Sequence, residues 1–209
     1  MIRGLRSVAA RDAIGFMAGG VGGADAREEV IIGRRSDFKR RVHDAYATPE
    51  AAVLPLLPWL NQSQVRTFAE PCVGDGALVR HLTRAGLKCV YKADIIEGKD
   101  ALATRNYNKP DAIITNPPWT RLILHQLILH FITIAPTWLL FDQNWVGTKQ
   151  AIPFLSFCSD ILPIGRIIWI EGTSIPGKDD SAWLRFDNNH TAGPIFHPYR
   201  AYGSYVRKR

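Results

Sequence analysis

Asn116, Pro117, Pro118 and Trp119 are the residues whose types and spacing are best suited to chemistry, at the end of the stretch Asp111-Ala112-Ile113-Ile114-Thr115-Asn116-Pro117-Pro118-Trp119. The Asn116 side-chain oxygen and the Pro117 carbonyl are two acceptors able to hold both hydrogens of a planar NH2 group. The Trp119 indole offers a face to a heteroaromatic ring. An exocyclic amine is a poor nucleophile because its lone pair is delocalised into that ring. Accepting both hydrogens as the nitrogen becomes tetrahedral and positive stabilises the transition state more than the ground state. The segment that must position these groups precedes them. Residues 112–115 form a short apolar run between turn residues, long enough for a buried strand and too short for a helix. Two successive prolines then fix φ, remove two amide donors and restrict the residue before each, so the chain leaves the strand stiff and extended. The functional groups are thereby held at the carboxyl end of a strand, where open α/β sheets bind ligands.

A second constellation lies upstream. Residues 65–70 read as a strand and Glu70-Pro71-Cys72-Val73-Gly74-Asp75-Gly76 as the turn out of it, leading into a helix over 77–85 that stops at Gly86. The glycines at 74 and 76 let the backbone approach a ligand closely. A dinucleotide fingerprint needs a third glycine three residues after Gly76. That position is Val79, so pyrophosphate binding is disfavoured, and an acid followed by glycines at +4 and +6 fits a nucleoside without phosphates. Residues 88–93 are the next strand, and Asp94 at its end is placed to take two ribose hydroxyls. Asp100 heads a short segment after it. Cys72 follows a proline but lies inside the turn, and is given little weight as a nucleophile.

The 209 residues suit one domain, and 46% hydrophobic with 22% charged content are globular values. A net charge of +7 and a pI of about 9.5 favour a polyanionic partner. Three scattered cysteines, Cys72, Cys89 and Cys158, argue against a disulfide framework and for a reducing, cytoplasmic setting, and no metal is implied. Leu122 to Leu140 is the longest apolar stretch, but His125, Gln126, His130 and Pro136 argue against a membrane span. The reading is a helix over 121–133 and a strand over 138–141. His125 and His130 stand five apart, which does not place both on one metal-binding face.

Residues 1–33 read as a disordered leader, 34–189 as the catalytic domain and 190–209 as a basic tail with Tyr199, Tyr202 and Tyr205. Five of the eight residues from Arg34 to Arg41 are basic, suited to a solvated face or a phosphate backbone. Thr48 and Pro49 suit the cap and first position of a helix over 49–57. Later elements are looser: a helix over 150–160, a strand over 166–171, a polar loop over 172–180 and a strand over 181–188.

Strand, glycine turn, acidic strand end and a strand closed by Asn-Pro-Pro-aromatic together resemble the class I S-adenosylmethionine-dependent methyltransferases. Within them they resemble the DNA adenine N6 group, its small phage and prophage enzymes in particular. The resemblance covers residues 37–147 well and 148–189 loosely. It implies a Rossmann-like, doubly wound, mostly parallel seven-stranded sheet, with S-adenosyl-L-methionine as cofactor. Asn116, Pro117, Pro118 and Trp119 match the family's catalytic motif, with Asn116 also bordering the cofactor. Glu70, Gly74, Asp75 and Gly76 match its cofactor turn, Asp94 its ribose acid and Asp100 its adenine-contacting acid. Tyr46, Thr48 and Pro49 are similar to the segment that closes over the methionine end. The expected partner is nucleic acid, double-stranded DNA first, with no membrane. RNA amines, protein glutamine and a non-catalytic nucleic-acid-binding module are the alternatives. No segment is long enough for a full target-recognition domain, so sequence readout is expected to be short or absent.

Overall fold

Apolar residues alternate along the strands between two faces, and each face meets its own set of helices. In the computed structural model, which describes residues 46–198, one core gathers Ala69, Ile113, Leu139, Phe141, Ile161 and Leu184. The other gathers Phe68, Ala112, Ile114, Trp138, Leu140, Leu162 and Trp183. Consecutive residues thus bury on opposite sides, as a period of two dictates for a sheet covered on both faces. The described residues all belong to one compact unit, Ser36–Arg209.

In chain order the elements are α1 (Glu50–Val53), α2 (Leu57–Gln62), β1 (Thr67–Glu70), α3 (Ala77–Arg84), β2 (Lys88–Lys92), β3 (Ala112–Thr115), α4 (Arg121–Phe131), β4 (Thr137–Asp142), α5 (Ile152–Leu155), β5 (Cys158–Arg166), β6 (Asp180–Phe186) and β7 (Ile195–Phe196). They build a seven-stranded sheet of order β2-β1-β3-β4-β6-β5-β7. Strands β1, β2, β3 and β4 run parallel, β7 runs parallel to β5, and β6 is antiparallel to both β4 and β5. Helix α4 packs Leu124, Leu127, Ile128 and Phe131 into the first core. Helices α1, α2 and α3 close the second through Ala52, Val53, Leu56, Leu60, Leu78 and Leu82. The doubly wound, mostly parallel sheet expected from the sequence is the observed one.

Several expectations are corrected. The helix over 49–57 is broken into α1 and α2, because Pro55 and Pro58 lack the amide donors a continuous helix needs. The helix over 150–160 reduces to a 3-10 turn and the single turn α5. From Cys158 the chain is strand, since Ile161 fills one core while Leu162 and Ile164 fill the other. Residues 167–171 are irregular rather than strand, because the chain has already left the sheet at Arg166, just past Gly165 at φ +72°. The tail expected from residue 190 is docked at its start, where β7 pairs with β5 and His197 reaches Asp160 at 2.8 Å. The run Arg34–Arg41 and Tyr199, Tyr202 and Tyr205 lie outside the described residues. Among the described residues no helix is long and apolar enough to cross a membrane.

Candidate functional site

The carboxyl ends of β1, β2 and β3 open onto one cavity of about 660 Å3. Its lining includes Tyr46, Thr48, Glu70, Gly74, Asp75, Asp94, Asp100, Asn116 and Pro118, so most residues singled out from the sequence converge on a single space. Pro49, Gly76, Pro117 and Trp119 do not line it. Pro49 is the residue before α1, Gly76 the residue before α3, Pro117 is buried, and Trp119 lies alongside Asn116.

Local geometry follows from the turn. Gly74 has φ +50° and Gly76 φ +79°, backbone that other residues adopt only with strain. A Cβ on Gly74 would meet nothing within 4 Å, so the glycine there serves conformation and leaves the cavity side open. Asp94 is buried and holds this turn: one carboxylate oxygen accepts the Gly74 N–H at 2.8 Å and the other the Ile96 N–H at 3.0 Å. Each oxygen keeps a further lone pair. Asp75 accepts the Ala77 N–H at 2.9 Å and pairs with Arg80, and Asp100 accepts the Leu102 N–H at 2.8 Å.

Glu70 is almost wholly buried. One of its oxygens accepts both the Thr115 hydroxyl and the Cys72 N–H. Burial pushes its carboxyl up to about 8, aided by the nearby Asp94 and opposed by those two hydrogen bonds. Thr115 thus ties the end of β3 to the end of β1 beneath Asn116, a role the sequence did not reveal. Burial also drives the Cys72 thiol far above its ordinary range, which removes it as a nucleophile.

Asn116 is held from both ends. Its Nδ2 donates to Thr48 Oγ1 at 3.3 Å, and its Oδ1 accepts from Trp119 Nε1 at 3.2 Å. Thr48 therefore does not cap a helix; α1 has no side-chain cap at its start. Two aromatic residues extend the group: Trp169 meets Trp119 edge-on with ring centres 5.9 Å apart, and Tyr46 lies 6.3 Å from Trp169. Trp169 went unnoticed in the sequence because it sits in the segment misread as a strand. The remaining wall is apolar, with Ile95, Ile96, Leu102, Ile123 and Leu127. His125 and His130 serve structure: His125 accepts from buried Trp145 Nε1 at 3.1 Å, and His130 lies between Arg105 Nη1 and the Thr104 carbonyl.

No family model and no curated protein matches the sequence. Among solved structures the chain resembles a Listeria monocytogenes protein described as a class I S-adenosylmethionine-dependent methyltransferase. The TM-score is 0.51 at 9% identity, over 93% of this chain and 72% of that one. The M protein of the type I restriction enzyme EcoKI aligns at TM-score 0.45 and 10% identity, over 75% of this chain and 50% of that one. A Lactococcus lactis protein described as a hemolysin aligns at TM-score 0.45 and 10% identity, over 73% and 94%. With its strand order and an antiparallel β6 between β4 and β5, the chain has the fold of the class I S-adenosylmethionine-dependent methyltransferases.

Proposed function

We propose that the protein is an S-adenosylmethionine-dependent methyltransferase acting on the exocyclic N6 amine of adenine in DNA. The observation that carries this reading is the Asn116 carboxamide, fixed between Thr48 and Trp119 at the wall of the cavity that Gly74, Asp94 and Asp100 also line. The cavity volume of about 660 Å3 lies within the range of small-molecule sites. Its residues fit the cofactor in kind. Asp94 and Asp100 offer lone pairs to hydroxyl and amine groups, while Ile95 and Ile96, 52% and 68% exposed, present apolar surface that a flat ring would cover. Asp94, which lines the cavity, suits a positively charged ligand.

When bound, the cofactor supplies a methyl group already activated on a sulfonium sulfur. The protein's own task is then positioning. The target base is extruded from the duplex. Asn116 Oδ1 and the Pro117 carbonyl accept the two amine hydrogens as charge develops on nitrogen, and the indole of Trp119 faces the ring. The proton lost from the amine passes to water, with no strong base required. The net charge of +7 supports a polyanionic acceptor, and the Asn-Pro-Pro-Trp motif supports a planar amine on a ring.

The test is incubation with methyl-labelled cofactor and unmethylated DNA, RNA or protein, followed by nucleoside and amino-acid analysis. Label in N6-methyladenine from DNA is expected; label in RNA or glutamine instead would move the acceptor. Asn116→Ala is expected to abolish transfer while calorimetry shows cofactor binding within about twofold. Equal loss of both would make the motif structural.

A further inference from the structure

Trp119 touches Asn116 through the edge of its indole, by a hydrogen bond from Nε1 to Oδ1 at 3.2 Å. An indole N–H is a donor only, so it can face only the oxygen of a carboxamide. That contact therefore decides which way the Asn116 amide points: oxygen towards Trp119, nitrogen towards the Thr48 hydroxyl 3.3 Å away. An asparagine turned the other way would present NH2 to an incoming amine, donor against donor. A phenyl or phenol side chain at 119 has no in-plane N–H at this place and could not make the selection.

What holds the indole is equally specific. Trp169 meets Trp119 edge-on at 83° with centroids 5.9 Å apart. Trp169 comes from the irregular excursion that joins β5 to β6. That excursion folds back on itself, the Gly177 N–H donating to the Ile167 carbonyl at 2.7 Å. Gly177 lies directly against Trp169, where a Cβ would stand 3.1 Å from two atoms of the indole and 3.3 Å from the Ile167 carbonyl. The ring cannot retreat into the loop, and any side chain at 177 would push it. The loop reaches the cavity wall through Trp169, which also lies 6.3 Å from Tyr46, and it braces the residue that orients the cavity's asparagine.

We propose that Trp119, Trp169 and Gly177 form a positioning device: Trp169, seated on Gly177, holds the Trp119 indole so that its N–H fixes the Asn116 carboxamide with the oxygen available to the acceptor. This rests on methyl transfer at Asn116. Trp119→Phe keeps an aromatic face and removes the donor. Its kcat is expected to fall roughly tenfold, what one neutral hydrogen bond is worth. KM for DNA and cofactor affinity stay within about twofold. Gly177→Ala, which displaces Trp169, is expected to lower kcat in the same way, and the double variant to be no worse than Trp119→Phe alone because both act through one contact.

In 15N-labelled protein, without any substrate, the Trp119 indole resonance is expected to move in both Asn116→Ala and Gly177→Ala. An indole signal indifferent to both variants would overturn the device whatever the activity. So would additive losses of kcat, or a Trp119→Phe enzyme of unaltered kcat. Parallel loss of cofactor binding and melting temperature would reduce the three residues to packing. Coupled resonances in a wild type that methylates no acceptor would support the device's geometry and overturn the reaction assigned to it.

Discussion

Glu70 keeps its proton to about pH 8 because burial penalises its charged form more than the Thr115 and Cys72 hydrogen bonds favour it. Its folded-state value is raised above the ordinary 4.5, so its contribution to stability is complete below pH 4.5 and is lost as pH rises towards 8. Measured against Glu70→Gln, the melting temperature is expected to decline over that window, as scanning calorimetry of both proteins at several pH values would record. A cation bound beside Glu70 favours its charged form. Binding of the sulfonium nucleoside at pH 7 is thus expected to release a proton, seen as a buffer-dependent binding enthalpy that Glu70→Gln abolishes. Asp94 has two tasks, since it holds the Gly74 and Ile96 amides as well as facing the cavity. Asp94→Ala is therefore expected to weaken cofactor binding at least tenfold and also to lower the melting temperature, whereas Asn116→Ala leaves the latter unchanged. At this scale the sequence singled out polar residues at strand ends, such as Asn116 and Asp94, that the fold brings to one cavity. It was silent on Thr115, Trp169 and Gly177, whose roles exist only through partners distant in the chain.

Helix α4 carries its histidines as core residues. Burial, and the nearby Arg121 charge, hold His125 below the usual histidine range, and burial does the same to His130. Folded-state values lowered from 6.5 mean stability is intact above pH 6.5 and falls as pH drops through the lowered values. In Glu70→Gln, which lacks the opposing carboxyl, denaturant titrations at pH 7.5 and 5.5 are expected to show the loss at the lower pH. His125→Leu leaves buried Trp145 Nε1 without its acceptor and is expected to cost about 1–3 kcal/mol at pH 7.5. Elements with a single strong signal were legible: the apolar run of β3, the glycine turn before α3, the helix after Asn-Pro-Pro-Trp. Where signals competed, tertiary packing decided. Residues 158–166 have a strand's alternation, but Pro163 and Gly165 interrupt it locally. One of the two register shifts between β5 and β6, that between Pro163 and Gly165, absorbs that interruption.

Across the whole molecule, an excess of cationic side chains draws any polyanion and does so less in salt. If DNA is the acceptor, the logarithm of its affinity should fall linearly with that of salt concentration, by roughly 0.9 per contacted phosphate. Filter binding from low to moderate salt would measure the slope, and a flat response would favour a small neutral acceptor. The layered fold was readable because strand, turn and helix signals repeat in order along residues 65–142. Of its closing strands β6 was read, over 181–188 against the observed Asp180–Phe186, whereas β5 and β7 were not, since their partners are set by register rather than by local pattern. One tie spans almost the full described chain: the Trp183 indole in β6 donates to the Ala52 carbonyl of α1 at 2.7 Å, across 131 residues. During synthesis, the segment bearing Tyr46 and Thr48 must therefore wait for β6 to leave the ribosome before this tie can form. A nascent chain stalled or truncated short of Trp183 would carry every residue of the cavity and still lack the anchor that keeps its first wall in place.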